Sequence, residues 1–134
     1  MPRMIFVNLP VKELEASTAF YESLGFSKNS QFSDDNASSM VICDTIHVML
    51  LTEPFFKGFT KKDIADSLAS TEAIIALSED SRDAVDELTD KALAAGGQTA
   101  IDPQDHGFMY SRSFYDLDGH HWEVFWMDLS AIEG

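Results

Sequence analysis

The sequence predicts an α+β fold of two βαβββ modules whose mixed sheets form a partly open barrel, and three observations predict it. Short apolar, β-rich runs are interrupted by two stretches with helical apolar spacing. The same order of elements recurs at an offset of roughly seventy residues, longer than the usual solenoid repeat. Each half alone would make a one-sided sheet with a helix on its outer face. Pairing two such sheets leaves a concave interior, the natural place for a ligand. A ferredoxin-like sandwich accounts for one half but leaves the repeat unexplained.

Residues 4–9 form an apolar run closed by Pro10, whose missing N–H suits a strand end. Residues 12–24 carry Leu14, Phe20, Tyr21 and Leu24 at helical spacing and stop at Gly25, a favoured residue just past a helix. Residues 26–32 read as a strand and polar residues 33–36 as a turn. Residues 39–43 and 46–51 are two further strands, joined by Asp44-Thr45 as a hairpin. The connector, 54–70, holds Phe55, Phe56 and Phe59 before Lys61-Lys62-Asp63 and is too apolar for a solvated linker. It is expected to lie across a groove, as a short helix capping the barrel or as a lid touching substrate. Residues 71–77 are a strand. Ser81 can cap a helix over 82–95 whose buried stripe is Val85, Leu88, Ala92 and Ala95, with Gly96-Gly97 ending it. Strands at 98–101, 108–115 and 120–127 complete the repeat. One domain, 1–134, thus contains module one (1–53), the connector, and module two (71–130).

A chain of 134 residues, 45% of them hydrophobic, can bury a core and is not a disordered polymer. Its formal charge of −14 argues against nucleic acid, whose phosphates it would repel. The single cysteine, Cys43, can form no internal disulfide and is expected to be a small buried hydrophobe in a strand. No apolar run is long enough for a membrane span, and the N-terminus lacks a signal-peptide core. A soluble, cytoplasmic protein with no membrane partner is expected.

The most informative stretch is the last strand and the turn feeding it, 116–126. Asp118-Gly119 between β-rich runs signals a hairpin, because glycine takes the positive φ a tight turn requires. In the strand that follows, His121, Glu123 and Phe125 share one face, and Trp122, Val124 and Trp126 the other. A carboxylate among aromatic residues lies either on a wet sheet face or inside a cavity. The two tryptophans call for a covering helix or for a second copy of the chain, and a homodimer is expected.

Two motifs resemble a known family. The first is V-x-x-L-x-x-S-x-x-F-Y-x-x-L-G-F, given by Val11, Leu14, Ser17, Phe20, Tyr21, Leu24, Gly25 and Phe26; the second is D-x-D-G-x-x-x-E, from Asp116 to Glu123. Lying about a hundred residues apart, as paired βαβββ units require, they resemble the vicinal oxygen chelate superfamily. It includes glyoxalase I, the bleomycin- and fosfomycin-resistance proteins and the extradiol dioxygenases. The resemblance implies the glyoxalase/bleomycin-resistance fold; it constrains the reaction much less, since one fold hosts many functions.

In metal-dependent members, the resemblance implies, ligands come from four strand positions. These fall here on Phe6, Met49, Ile74 and Glu123, of which only Glu123 suits a hard or borderline divalent ion. No cofactor is therefore expected. The alternative is a divalent metal (zinc, nickel, manganese or iron) displaced onto His47, His121 and Glu123, since His47 and His121 each lie two residues before a family position on the same strand face. His106 and His120 are expected in loops. The metal-free reading keeps Glu123, with His47, as the chemically active pair in a pocket with Phe6, Asn8, Met49 and Ile74; Tyr110 and Arg112 are candidates for polar recognition. Two functions remain: a small-molecule-binding protein of the bleomycin-resistance type, and a lyase or dioxygenase using the His47/His121/Glu123 metal set. The resemblance also implies cavities shared between two subunits, each joining His47 of one chain to Glu123 of the other.

Overall fold

The computed structural model describes residues 2–130 and divides into two compact units, 1–66 and 67–134. In the first unit, β1 (Ile5–Val11) leads into α1 (Leu14–Ser23), then β2 (Ser27–Asn29), a 3-10 turn (Ser30–Phe32), β3 (Ala37–Cys43), β4 (Ile46–Thr52) and α2 (Glu53–Lys57). The sheet runs β1-β4-β3-β2, with β1 parallel to β4 and the other pairs antiparallel. Helix α1 packs on β3 and β4. It buries Phe20 and Tyr21, while Leu9, Val11, Met40, Val48 and Leu50 are buried in the strands. Each such side chain, fully buried, stabilises the fold by about 1.5–3 kcal/mol. Two hydroxyls enter this core already satisfied: Thr18 Oγ1 donates to Leu14 O at 2.7 Å and shares a further 2.7 Å bond with Ser38 Oγ. The first sequence motif is thus a packing motif, with Gly25 at φ 98° ending the helix and Phe26 stacked on Tyr21.

Several boundaries differ from expectation. Pro10 does not end β1 but lies within it opposite Leu51, which a proline tolerates because β1 is an edge strand. The strand expected over 26–32 is only three residues long, because the Asn29 side chain accepts from Gln31 N and starts a helical turn instead. Cys43 is exposed rather than buried, at the end of β3, where the ladder shifts register between Val41 and Cys43. The apolar connector begins with α2, which packs on β1 and β4. There Phe55 and Phe59 meet edge to face at 5.2 Å.

The second unit contains β5 (Ile74–Ser78), α3 (Arg82–Ala94), β6 (Gln98–Thr99), β7 (Gln104–Asp105), β8 (Met109–Tyr115) and β9 (His121–Met127). Its sheet runs β5-β9-β8-β6, with β7 also paired to β8 and β5 parallel to β9. Ser81 caps α3 as expected, its Oγ accepting from Ala84 N at 3.1 Å. Val85, Leu88 and Ala92 are buried, and Thr89 with them. Facing α3, Trp122 and Phe114 stack with planes 9° apart, both about 1% exposed. Trp122 therefore lies in the core of the unit, while Trp126 is half-buried, with Arg82 over its ring at 5.1 Å. Covering Trp122 needs no second chain.

Candidate functional site

Direct cross-strand partners share a face, so register assigns each candidate. On β9, Glu123 stands between Ala76 of β5 and Ser113 of β8, and His121 between Ile74 and Tyr115. With Ser111 and Phe125 these form the face of the second sheet turned away from α3. Glu123 is half-buried there and His121 9% exposed, its ring edge-on to Tyr115 at 5.2 Å. No Lys or Arg occupies a register position on this face.

The first unit presents a related face without a carboxylate. Phe6 pairs with His47 and Asn8 with Met49. The Phe6 and His47 rings stack at 4.6 Å with planes 13° apart, and His47 Nε2 lies 3.3 Å from Asp44 O. The Asn8 amide donates to Phe6 O at 3.1 Å. The repeat is visible in the pairing itself: His47 faces Phe6 as His121 faces Ile74, and Met49 faces Asn8 as Glu123 faces Ala76.

Tyr110 and Arg112 lie on the opposite face from Glu123. Register pairs them with Trp126 and Val124, and α3 takes their polar groups. The Tyr110 hydroxyl donates to Asp86 at 2.6 Å, and Arg112 Nη1 bonds Asp86 at 3.0 Å and Asp90 at 2.9 Å. The Tyr110 hydroxyl, and after it Arg112, hold the Asp86 carboxyl below its usual range. These two residues thus fasten α3 to β8 rather than sharing a surface with Glu123. His106 is exposed, as expected of a loop residue. His120 also lies in a loop but is buried, with Nδ1 3.3 Å from Glu72 Oε1.

The D-x-D-G-x-x-x-E motif separates into a scaffold and a chemical group. Asp116 Oδ1 accepts from Asp118 N and His120 N, both at 2.9 Å, closing the turn. Gly119 has φ 86°, and a Cβ there would lie 2.5 Å from Ser67 O, so the turn admits only glycine. Ser67 Oγ donates to Asp118 O at 2.7 Å, tying the start of the unit to this turn. What the turn delivers is Glu123.

With fold and register defined, comparison with known proteins is decisive for the family. The Glyoxalase/Bleomycin resistance protein/Dioxygenase superfamily model matches residues 3–124. The chain belongs to this superfamily. A solved structure of a hypothetical protein, SA1046 from S. aureus, is 30% identical, with 93% of this chain and 94% of that chain covered and a TM-score of 0.78. A family enzyme from Burkholderia phytofirmans shares the fold at 16% identity (TM-score 0.76; 94% and 99% covered). So does the fosfomycin resistance protein FosX from Listeria monocytogenes, at 23% identity (TM-score 0.69; 97% of each chain). No curated protein matches the sequence.

The chelating metal of the superfamily does not fit the residues at the four family positions. Phe6 and Ile74 offer no lone pair, Met49 only a soft thioether, and Glu123 a single carboxylate. Among the described residues no three His, Cys, Asp or Glu side chains gather to hold a metal ion. The residues missed by sequence reasoning are Ser111 and Ser113, buried on the Glu123 face. Their alternation with Tyr110 and Arg112 carried the signal, once the apolar face of β9 was known.

Proposed function

We propose that this protein binds a small molecule on the Glu123 face without the superfamily's usual metal. The observation that carries this reading is the composition of that face. One carboxylate and one histidine lie among Ile74, Ala76 and Phe125, with the Ser111, Ser113 and Tyr115 hydroxyls from β8 and no cationic side chain. A carboxylate on an apolar, arginine-free surface favours a neutral or basic ligand with an apolar body over an anion, which would find no partner. Glu123 would accept from the ligand's N–H or O–H groups, and His121 would take the complementary role in either tautomer. Isothermal titration against bleomycin, fosfomycin and simple aryl amines tests this. A basic or neutral compound should bind, Glu123→Gln should weaken it about tenfold, and chelator should leave affinity unchanged. Binding of fosfomycin alone, abolished by chelator, would overturn the reading.

One observation favours a second reading, a metal-dependent lyase or dioxygenase. His47 and His121 occupy equivalent places in the repeat, as residues of a symmetric ligand set would. A stoichiometric zinc, nickel, manganese or iron in purified protein, lost on Glu123→Ala, would put that reading first.

We also propose a homodimer with shared cavities, on the family resemblance, and a cytoplasmic setting, which suits the exposed, unpaired Cys43. Light scattering decides the first. Mixing His47→Ala with Glu123→Ala subunits should restore part of the binding if cavities are shared, and none if they are not.

A further inference from the structure

The edge of the second sheet is interrupted one strand away from Glu123, opposite its partner Ser113. Strand β6 leaves β8 at the pair Thr99–Phe114, and β7 rejoins it at Gln104–Ser111. Residues 100–103 therefore lie opposite Arg112 and Ser113 alone, an excess of two residues. The sequence explains the break. Pro103 has no N–H to give the ladder, and it drives Asp102 away from helical geometry, so regular pairing resumes only at Gln104. The bulge is held from one side. Ile101 N donates to Ser113 Oγ at 3.0 Å, and Ser113 Oγ lies 3.5 Å from Ile101 O. Ser113 is 3% exposed and is the direct cross-strand partner of Glu123. Its side chain stands on the Glu123 face, so bonding Ile101 through that side chain draws the bulged main chain toward the same face.

We infer that the 100–103 bulge is a specificity wall of the Glu123 site, with Ser113 as its positioning residue and Ile101, about half exposed, as its apolar contact. This deepens the reading of the Glu123 face given above and rests on it. Bulges beside functional sites commonly re-aim one side chain. Here the wall would select ligands by the size of their apolar body, while Glu123 holds the polar end.

The test separates anchoring, selectivity and binding. Amide exchange at Ile101 should accelerate about tenfold in Ser113→Ala and remain slow in Ser113→Thr, which keeps the hydroxyl. Two fluorescent probes, 1-naphthylamine and the bulkier N-phenyl-1-naphthylamine, then report on the site. Glu123→Gln should weaken both alike. Ile101→Ala should shift the ratio of their affinities by about tenfold toward the bulkier probe, and Ser113→Ala should shift it in the same direction with Ser113→Thr restoring it. Unchanged exchange at Ile101 in Ser113→Ala would overturn the anchor. A ratio unmoved by Ile101→Ala, with both probes still sensitive to Glu123→Gln, would overturn the wall while leaving the ligand reading standing. If neither probe binds the wild-type protein, the ligand reading itself fails and the wall falls with it, while exchange at Ile101 still decides the anchor.

Discussion

The two halves of this chain build the same parallel-plus-antiparallel strand order and fasten their helices by different chemistry. In the first, α1 has no side-chain cap and is held by Phe20, Tyr21 and the Thr18–Ser38 hydroxyl pair. In the second, α3 is capped by Ser81 and tied to the sheet by Asp86 and Asp90 on Arg112, by Asp86 on Tyr110, and by Arg82 reaching across to Asp105. The difference teaches where function can reside. A helix held through the far face of its sheet leaves the near face free for Glu123, His121 and two serines, whereas in the first half Met49 stands in the place of Glu123, His47 in that of His121, and Ser39 and Ala37 in those of Ser113 and Ser111.

The largest effect should come from the second core. Trp122→Ala removes a ring that is about 1% exposed and stacked on Phe114, and should cost about 3–5 kcal/mol. Urea denaturation checks it. A loss below about 1 kcal/mol would mean that α3 is held by its ionic contacts and not by the core.

Next is the Asp116–His120 turn, whose counterpart in the repeat is the Asp44-Thr45 hairpin. The Asp44-Thr45 hairpin closes without any positive φ, whereas the Asp116–His120 turn depends on a buried carboxylate and on Gly119. Asp116→Ala leaves two backbone N–H groups short of an acceptor and should cost about 2–3 kcal/mol, with Asp116→Asn recovering part of it. Thermal denaturation of the two variants side by side gives the measurement; equal losses would mean that the charge, not the acceptor geometry, is what matters.

The sequence carried most of the fold because its signals were local. Gly25 and Gly96 follow the ends of helices and Gly119 closes the turn before β9, all at positive φ, and the spacing of Val85, Leu88 and Ala92 identified the buried side of α3. Failures arose where the deciding contact lies far along the chain. Nothing near Pro10 says that its strand will be at an edge, and β7 is defined by pairing with β8 rather than by its own two residues. Glu123 was identifiable from alternation and from its turn. That Tyr110 and Arg112 face α3 was not legible, because strand parity alone does not say which face a helix will cover; the acidic residues of α3 at 86 and 90 decide it.

A smaller effect tests the first half. Thr18→Val deprives the buried Ser38 hydroxyl of its Thr18 partner and should cost about 1–2 kcal/mol, whereas Ser38→Ala leaves Thr18 bonded to Leu14 O and should cost less, and the double variant should cost less than the sum. Strict additivity would mean that the pair is not coupled and that α1 depends on its aromatic residues alone.

The smallest effect tests whether the ionic fastening of the second half matters in acid. Arg82 grips Asp105 with two 2.9 Å bonds, and Gly107 N donates to the same carboxylate at 2.9 Å. The Arg82 hydrogen bonds, and after them the Gly107 backbone, lower the Asp105 pKa from 3.8 to about 2. A carboxyl whose folded pKa lies below its unfolded value stabilises the fold fully above the unfolded value and loses that contribution as pH falls through the folded one. The contribution of Asp105 is therefore complete above about pH 4 and fades between there and about pH 2. Because the pair is exposed, water and salt screen it, and the effect on stability should be slight. Asp105→Asn removes this titration. Its melting temperature should fall just below that of the wild-type protein at neutral pH, and the gap should narrow as pH drops from 4 to 2, as it should also at neutral pH in high salt. A gap that stays constant across that range, insensitive to both acid and salt, would show that Asp105 does not act by its charge against Arg82.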